Sequence, residues 1–561
     1  MFRRPRIVGL RADILRGGYR VLEGGARQRW LPMTSPSPTL SRSASRSSIQ
    51  QGETGRQKNW KLATAAIGCL LAVSLYLDPA GTIRFDSPPD PDKPGSGSRD
   101  LGIAARIRLA TRALPEDLQT NASVDAIAHR TAREHTLDAP NPDELTEILR
   151  RHEESVIVGG RSGVLRYDTN QIASNDPMED DHASEIISLP SGDDWIFWGV
   201  YDGHSGWATS AKLRQSLIAN VYLKLAEAYR ASDTTPPSDR EIDSAIKAGF
   251  LALDDEIVWS SVERVKKLGT RQAGAQLLAP AIAGSCALLA IYNPQSRLLR
   301  IALAGDSRAV LGRRVGESRW SATQLSADQT GENPDEAARV RSEHPDEPDV
   351  VKNGRVVGFE PSRAFGDAVV KWPSDLSMTL RKLYFAKRPR KVDGNPPYLT
   401  AEPVITTTKI EPEKSDFVVL ASDSLWELLS NEEVVGLVGR WIDEGYLKGQ
   451  RKSEQKRSSV WNMVPWVFNE PESMTSNVDK SQPDTPKPFG RPPVRPAQWG
   501  IAKRQRVPVV RDINAATHLA RNGLGGDDHD LISSLFLLAG KNSRRFRDDL
   551  TITVIFFGDN A

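Results

Sequence analysis

The chain has 561 residues, enough for two or three domains, and its 39% apolar and 26% charged residues allow a large core beside non-globular segments. The formal net charge of +2 hides an asymmetry: residues 1–61 hold thirteen Lys/Arg against three Asp/Glu, so the remainder is mildly acidic and carries no nucleic-acid footprint. With only two cysteines, Cys69 and Cys286, a disulfide framework and a cysteine-built zinc site are both excluded.

Residues 1–33 space Arg between apolar residues and hold few acids, the pattern of a mitochondrial targeting segment. Residues 34–60 are basic and Ser/Arg-rich, and are expected to be disordered. Within 61–79 the uncharged run Leu62–Leu77 would reach about 24 Å as a helix, short of a hydrocarbon core of about 30 Å. Arg56, Lys58 and Lys61 precede it and Asp78, Asp86, Asp90 and Asp92 follow, so it reads as a membrane anchor with snorkelling flanks. Residues 80–140 form a linker and N-terminal extension rich in Pro, Gly and Asp at its start. Residues 141–561 are the expected folded domain, broken by an irregular insertion at 447–510 whose Trp461, Trp466 and Trp499 could dock on its surface.

In that domain a helix is expected over Asn141–Ser155, with an Asn and a Pro at its start, and two longer ones over Leu213–Tyr229 and Glu241–Val258. Strands are expected at Trp195–Tyr201, Cys286–Tyr292, Leu298–Leu303, Ala309–Gly312, Phe417–Ala421 and Thr551–Phe557, with a helix near Asp512–Leu524 between the last two. Strands and helices do not alternate regularly, which argues for an antiparallel α+β layered fold and against a doubly wound parallel sheet.

The run WIFWGVY is too apolar for a half-exposed strand and too short for a helix. It reads as a central strand that delivers Asp202 into a Gly-His-Ser-Gly turn. Each strong strand has an acid at its end: Asp202 after WIFWGVY, Asp306 after RIALAG, Asp423 after FVVLAS, and Asp548 with Asp549 before LTITVIFF. Glu179 and Asp180 lie in NDPMEDDH ahead of the first of these. Antiparallel pairing can gather such acids at one edge, where crowded carboxylates repel unless cations neutralise them. An all-oxygen set selects hard divalent ions, Mg²⁺ or Mn²⁺. Two ions bridged by Asp202 would turn a water into hydroxide for in-line attack on phosphorus, and His204 is placed to protonate the leaving oxygen.

MEDDH, YDGHSG, GSCALLAIYN, AGDSRAVL, SRAFGD, VVLASDSLWE and RDDLTITV, in this order, resemble the signature blocks of the PPM family of metal-dependent serine/threonine protein phosphatases. The resemblance implies a four-layer α-β-β-α sandwich of two antiparallel sheets flanked by helices, with a dinuclear site at one end. By position it implies that Asp202 bridges the metals, that Gly203 offers its carbonyl, that Asp423 and Asp548 bind the other ion, and that Glu179 and Asp180 hold metal-bound waters. Asp306 and Glu427, with Asp423, match a weaker third metal, and Asp549 stands where many members have Asn. Most members carry an Arg for the substrate phosphate four residues before the MED acid; here that position is Asn175. This departure, and DINAATHLARNGLGG, resemble the pyruvate dehydrogenase phosphatase branch.

That branch implies a mitochondrial phosphoprotein substrate, the pyruvate dehydrogenase E1 component, and an inner-membrane location that agrees with the apolar run. If the basic flank stays in the matrix, the catalytic domain faces the intermembrane space, away from a matrix dehydrogenase; both topologies stay open. The alternative is a catalytically silent PPM-fold binding module tethered to a membrane, against which every core acid is present. No regulatory subunit can be read from the sequence.

Overall fold

The computed structural model describes Phe2–Arg3 and residues 139–558, apart from 159–162, 175, 189–193, 233–235, 391–393, 450–491, 502–506 and 539. The expected anchor at 61–79, the segments before and after it up to residue 138 apart from Phe2–Arg3, and Trp461, Trp466 and Asn175 therefore lie outside the described residues. Among the described residues no helix is long and apolar enough to cross a membrane.

Two antiparallel sheets form the centre. The first runs in the order Val404–Lys409, Leu298–Ala304, Ala287–Asn293, Asp194–Tyr201, Asp181–Ser188. The second runs Glu154–Ile157, Val164–Ile172, Leu550–Phe557, Phe417–Ala421, Arg308–Gly316, Arg319–Gln324, and Phe2–Arg3 adds a short parallel pairing at its edge. Because side chains alternate along a strand, each central strand feeds two cores. Ile196, Trp198 and Val200 meet Val418, Leu420, Ile555 and Phe557 between the sheets. Trp195, Phe197 and Tyr201 face the other way, onto Leu213, Leu217 and Phe250 of the helices Ala208–Ala231 and Asp239–Asp255. On the far side Phe417, Val419, Ile552 and Val554 pack against Val438 and Leu519 of the helices Asn431–Asp443 and Ala515–Leu524. These are the four layers, and the doubly buried reading of WIFWGVY holds. Gly199 sits in that run because a Cβ there would lie 2.2 Å from the Tyr201 hydroxyl, which folds back over it.

Local chemistry sets several boundaries. Ser238 with Glu241, and Ser430 with Glu433, form reciprocal caps that start their helices. The first helix is shorter than expected, Pro142–Arg150, and the chain is already a strand at Glu154–Ile157. The strand Val164–Ile172 escapes an apolar search because its buried residues are partly polar. Arg166 holds Asp168 through two bonds of 2.6 and 2.8 Å, and Asn170 donates to the Leu149 carbonyl at 2.9 Å. In the insertion, residues 492–501 include a helical turn, Arg495–Gln498, and Trp499 packs partly buried on the core beneath Asn431–Asp443.

Trp198, 1% exposed and edge-on to Tyr167 at 5.8 Å, ties the two sheets together. Trp198→Ala is expected to lower stability by about 3–5 kcal/mol, read from the urea midpoint of unfolding.

Candidate metal centre

The sheets bring their acids to one end through strand register. Asp181 pairs with Tyr201, which sets Asp180 beside Asp202. Ala421 pairs with both Arg308 and Ile552, which sets Ser422 and Asp423 against the approaches to Asp306 and Asp548. Asp423 opens the helix Asp423–Leu428, and its N–H lies 3.3 Å from Asp202 Oδ2. Asp202, Asp306 and Asp423 each place a carboxylate oxygen within 4.8 Å of the others.

Of the other expected residues, Asp180 is buried and accepts from Thr551 Oγ1 at 2.8 Å. Glu179 and Asp548 share a cation, Arg544, at 2.8 and 3.0 Å. Glu427 lines a pocket with Asp306 and Asp423, yet its carboxylate is paired with Arg495 at 2.7 Å. Gly203 packs directly on the acid loop: a Cβ there would lie 2.0 Å from the Glu179 carbonyl oxygen, so only glycine lets that loop pass.

The carboxyls of Asp180, Asp202 and Asp423 are all pushed well above the usual range. Loss of water is the first cause. Next come neighbouring negative charges: Asp549 for Asp180, Asp180 and Asp423 for Asp202, and Asp306 and Glu427 for Asp423. An oxygen-only set, half-buried to buried and under such mutual repulsion, fits hard divalent cations.

His204 lies beside the acids in the short strand Gly203–His204, and its Nε2 meets Asp367 Oδ2 at 2.5 Å. Burial disfavours the imidazolium, but the Asp367 charge and hydrogen bond outweigh it, so the net shift is upward. Asp367 is fully buried, its backbone is left-handed at φ +45°, and its Oδ1 has no hydrogen-bond partner among the described residues.

Sequence reasoning quoted SRAFGD but gave its last residue no role; the signal available was a lone acid ahead of the apolar AVV. It also passed over Arg544, although SRRFR directly before the Asp pair was a visible basic cluster. Asp549 does more than stand beside Asp548. Its Oδ1 accepts from Ser174 N and Oγ at 2.6 and 2.8 Å, and its Oδ2 from Glu179 N at 2.7 Å, which clamps the loop that carries Glu179 and Asp180.

The family pattern described as protein phosphatase 2C matches residues 169–460. A protein phosphatase 2C homolog of Schizosaccharomyces pombe is 41% identical over 423 residues, 75% of this chain and 86% of that protein. Mitochondrial [pyruvate dehydrogenase [acetyl-transferring]]-phosphatase 1 of Saccharomyces cerevisiae is 40% identical over 456 residues, 77% of this chain and 76% of its own. The human protein of that name is 27% identical over 496 residues, 75% and 83% of the two chains.

Two outcomes follow from the crowding. Gly203→Ala is expected to displace the Glu179 loop and weaken Mn²⁺ binding about tenfold or more, measured by titration calorimetry. Asp180, Asp202 and Asp423 bind protons more tightly folded than unfolded. Without divalent cations, stability is therefore lost as pH rises from the ordinary carboxylate value of about 4 through the raised native values. Melting temperatures in EDTA should fall from pH 5 to pH 8, and Asp202→Asn should flatten that slope.

Proposed function

The chain belongs to the protein phosphatase 2C family and is a metal-dependent serine/threonine protein phosphatase; from that premise we propose that it dephosphorylates the E1 component of the pyruvate dehydrogenase complex in mitochondria. The observation that carries the site chemistry is the convergence of Asp202, Asp306 and Asp423 within 4.8 Å. The substrate is supported by relatives named as mitochondrial pyruvate dehydrogenase phosphatases, and the location by those names and the Arg-rich residues 1–33. Tethering to the inner membrane through Leu62–Leu77 rests on that run and its charge flanks alone.

In this reading Asp202, Asp423, Asp548 and the Gly203 carbonyl would hold two Mg²⁺ or Mn²⁺ ions, and Glu179 and Asp180 would accept from waters beside them. Asp306 and Glu427 would take part in holding a third, Glu427 in place of its pairing with Arg495. When bound, such ions acidify a water and offset the charge of the phosphoryl group. His204 carries the proton for the departing seryl or threonyl oxygen. Its Nε2–H donates to Asp367, which fixes the ring and leaves Nδ1 for the substrate. Asp549 keeps Glu179 and Asp180 in place through the loop they sit on. A silent binding module would be expected to lack a ligand, and every acid of the set is present.

Release of phosphate from phosphorylated pyruvate dehydrogenase E1, with Mn²⁺ and abolished by EDTA or Asp202→Asn, tests the reading; an Asp202→Asn protein of wild-type turnover refutes it. Asp367→Asn should slow a phosphothreonine peptide by about 10²-fold. It should slow p-nitrophenyl phosphate far less, since that leaving group departs without a proton. Equal losses on the two substrates would remove Asp367 from the proton-delivery role.

A further inference from the structure

The geometry points to Arg544 as the residue that binds the substrate phosphoryl group, in place of the arginine that this chain replaces with Asn175. The inference rests on the phosphatase reading above. A site of carboxylates repels a phosphate dianion, and a guanidinium fork is the side chain that answers it with two parallel hydrogen bonds.

Arg544 is placed for that task. Its Nη1 donates to Glu179 Oε2 at 2.8 Å, while Nε and Nη2 lie 3.1 and 3.0 Å from Asp548 Oδ1. It therefore contacts Glu179, which follows position 175 by four residues in the sequence, and joins two acids of the centre. Two of its five N–H bonds are hydrogen-bonded in these contacts, Nε–H to Asp548 and one on Nη1 to Glu179, while Nη2 lies within ion-pair distance of Asp548, and the side chain is 32% exposed. Among the described residues the guanidinium makes no further hydrogen bond.

The turn that carries Arg544 is fixed from both sides. The Arg545 carbonyl accepts from Arg495 Nη1 at 2.9 Å and Gln498 Nε2 at 2.7 Å, and the Phe546 carbonyl from Trp499 Nε1 at 3.3 Å. Arg547 anchors the other side on the Ala173 and Leu535 carbonyls. Such support from distant segments is what a preorganised ligand needs. Other nearby cations are less suited. Arg308 is held by Asp328 and Asn431 and lies over Trp426, and Arg495 is held by Glu427. Lys387 faces Asp367 and Glu179 but has no fork.

The experiment compares wild type, Arg544→Ala, Arg544→Lys and Arg545→Ala in the full chain over a range of Mn²⁺ concentrations up to saturation. It reads KM for a phosphothreonine peptide, the inhibition constant of inorganic phosphate, and the Mn²⁺ dissociation constant by calorimetry. Loss of a charge-assisted fork should raise KM and the phosphate inhibition constant together by about ten- to a hundredfold in Arg544→Ala. Arg544→Lys should lie between, and Arg545→Ala, whose exposed side chain touches none of the acids, should match wild type. Unchanged phosphate inhibition in both Arg544 variants overturns the inference, as does a defect that disappears when Mn²⁺ is raised, which would make Arg544 a balance for the acids only. Wild-type protein without metal-dependent turnover would fail the phosphatase reading itself, a result the phosphate-binding comparison does not produce.

Discussion

The structure depends on holding several carboxylates together against their own repulsion. Asp180, Asp202, Asp306 and Asp423 sit at strand and helix ends that antiparallel pairing forces side by side, and for three of them desolvation and like charge favour the neutral form. A sheet alone would splay such a cluster apart. What prevents it is the double core: the strands that end in these acids are buried on both faces, so their ends cannot move without opening two apolar layers.

Around that cluster the chain distributes its counter-charges unevenly. Arg544 spans Glu179 and Asp548, and Arg495 covers Glu427, while Asp202 and Asp423 are left with backbone and carboxylate neighbours. The centre is thus divided into a rim balanced by guanidinium groups and an interior that only small cations can balance. His204 stands at the edge of this interior with Asp367 behind it. The left-handed backbone of Asp367 is a strain that the surrounding packing must hold.

The insertion joins this arrangement at one end. Val494 N–H donates to the Glu427 carbonyl at 2.9 Å, and residues 495–499 grip the turn before Asp548. The sequence reading treated 447–510 as irregular because its Pro, Ser and basic content has no period. Its residues 494–499 nonetheless touch the elements on either side of the acids.

By itself the sequence determined the strands and the acids at their ends. Burial on both faces writes an unbroken apolar run such as WIFWGVY, and a carboxylate directly after such a run is visible without any fold. It also determined the family resemblance, through seven blocks in order. Only the tertiary structure decided which residues serve those acids: Asp367 behind His204, Asp549 clamping the Glu179 loop, and Arg544 across Glu179 and Asp548. Those partners lie 163, 370 and 365 positions apart in the chain. The strand Val164–Ile172 was hidden for a related reason, since Asp168 and Asn170 are buried polar residues that also bond outside the strand, to the Ala515 N–H and the Leu149 carbonyl. A hydrogen bond between distant residues leaves no periodicity along the chain, so its existence is settled only when the sheets pair and bring the two ends together.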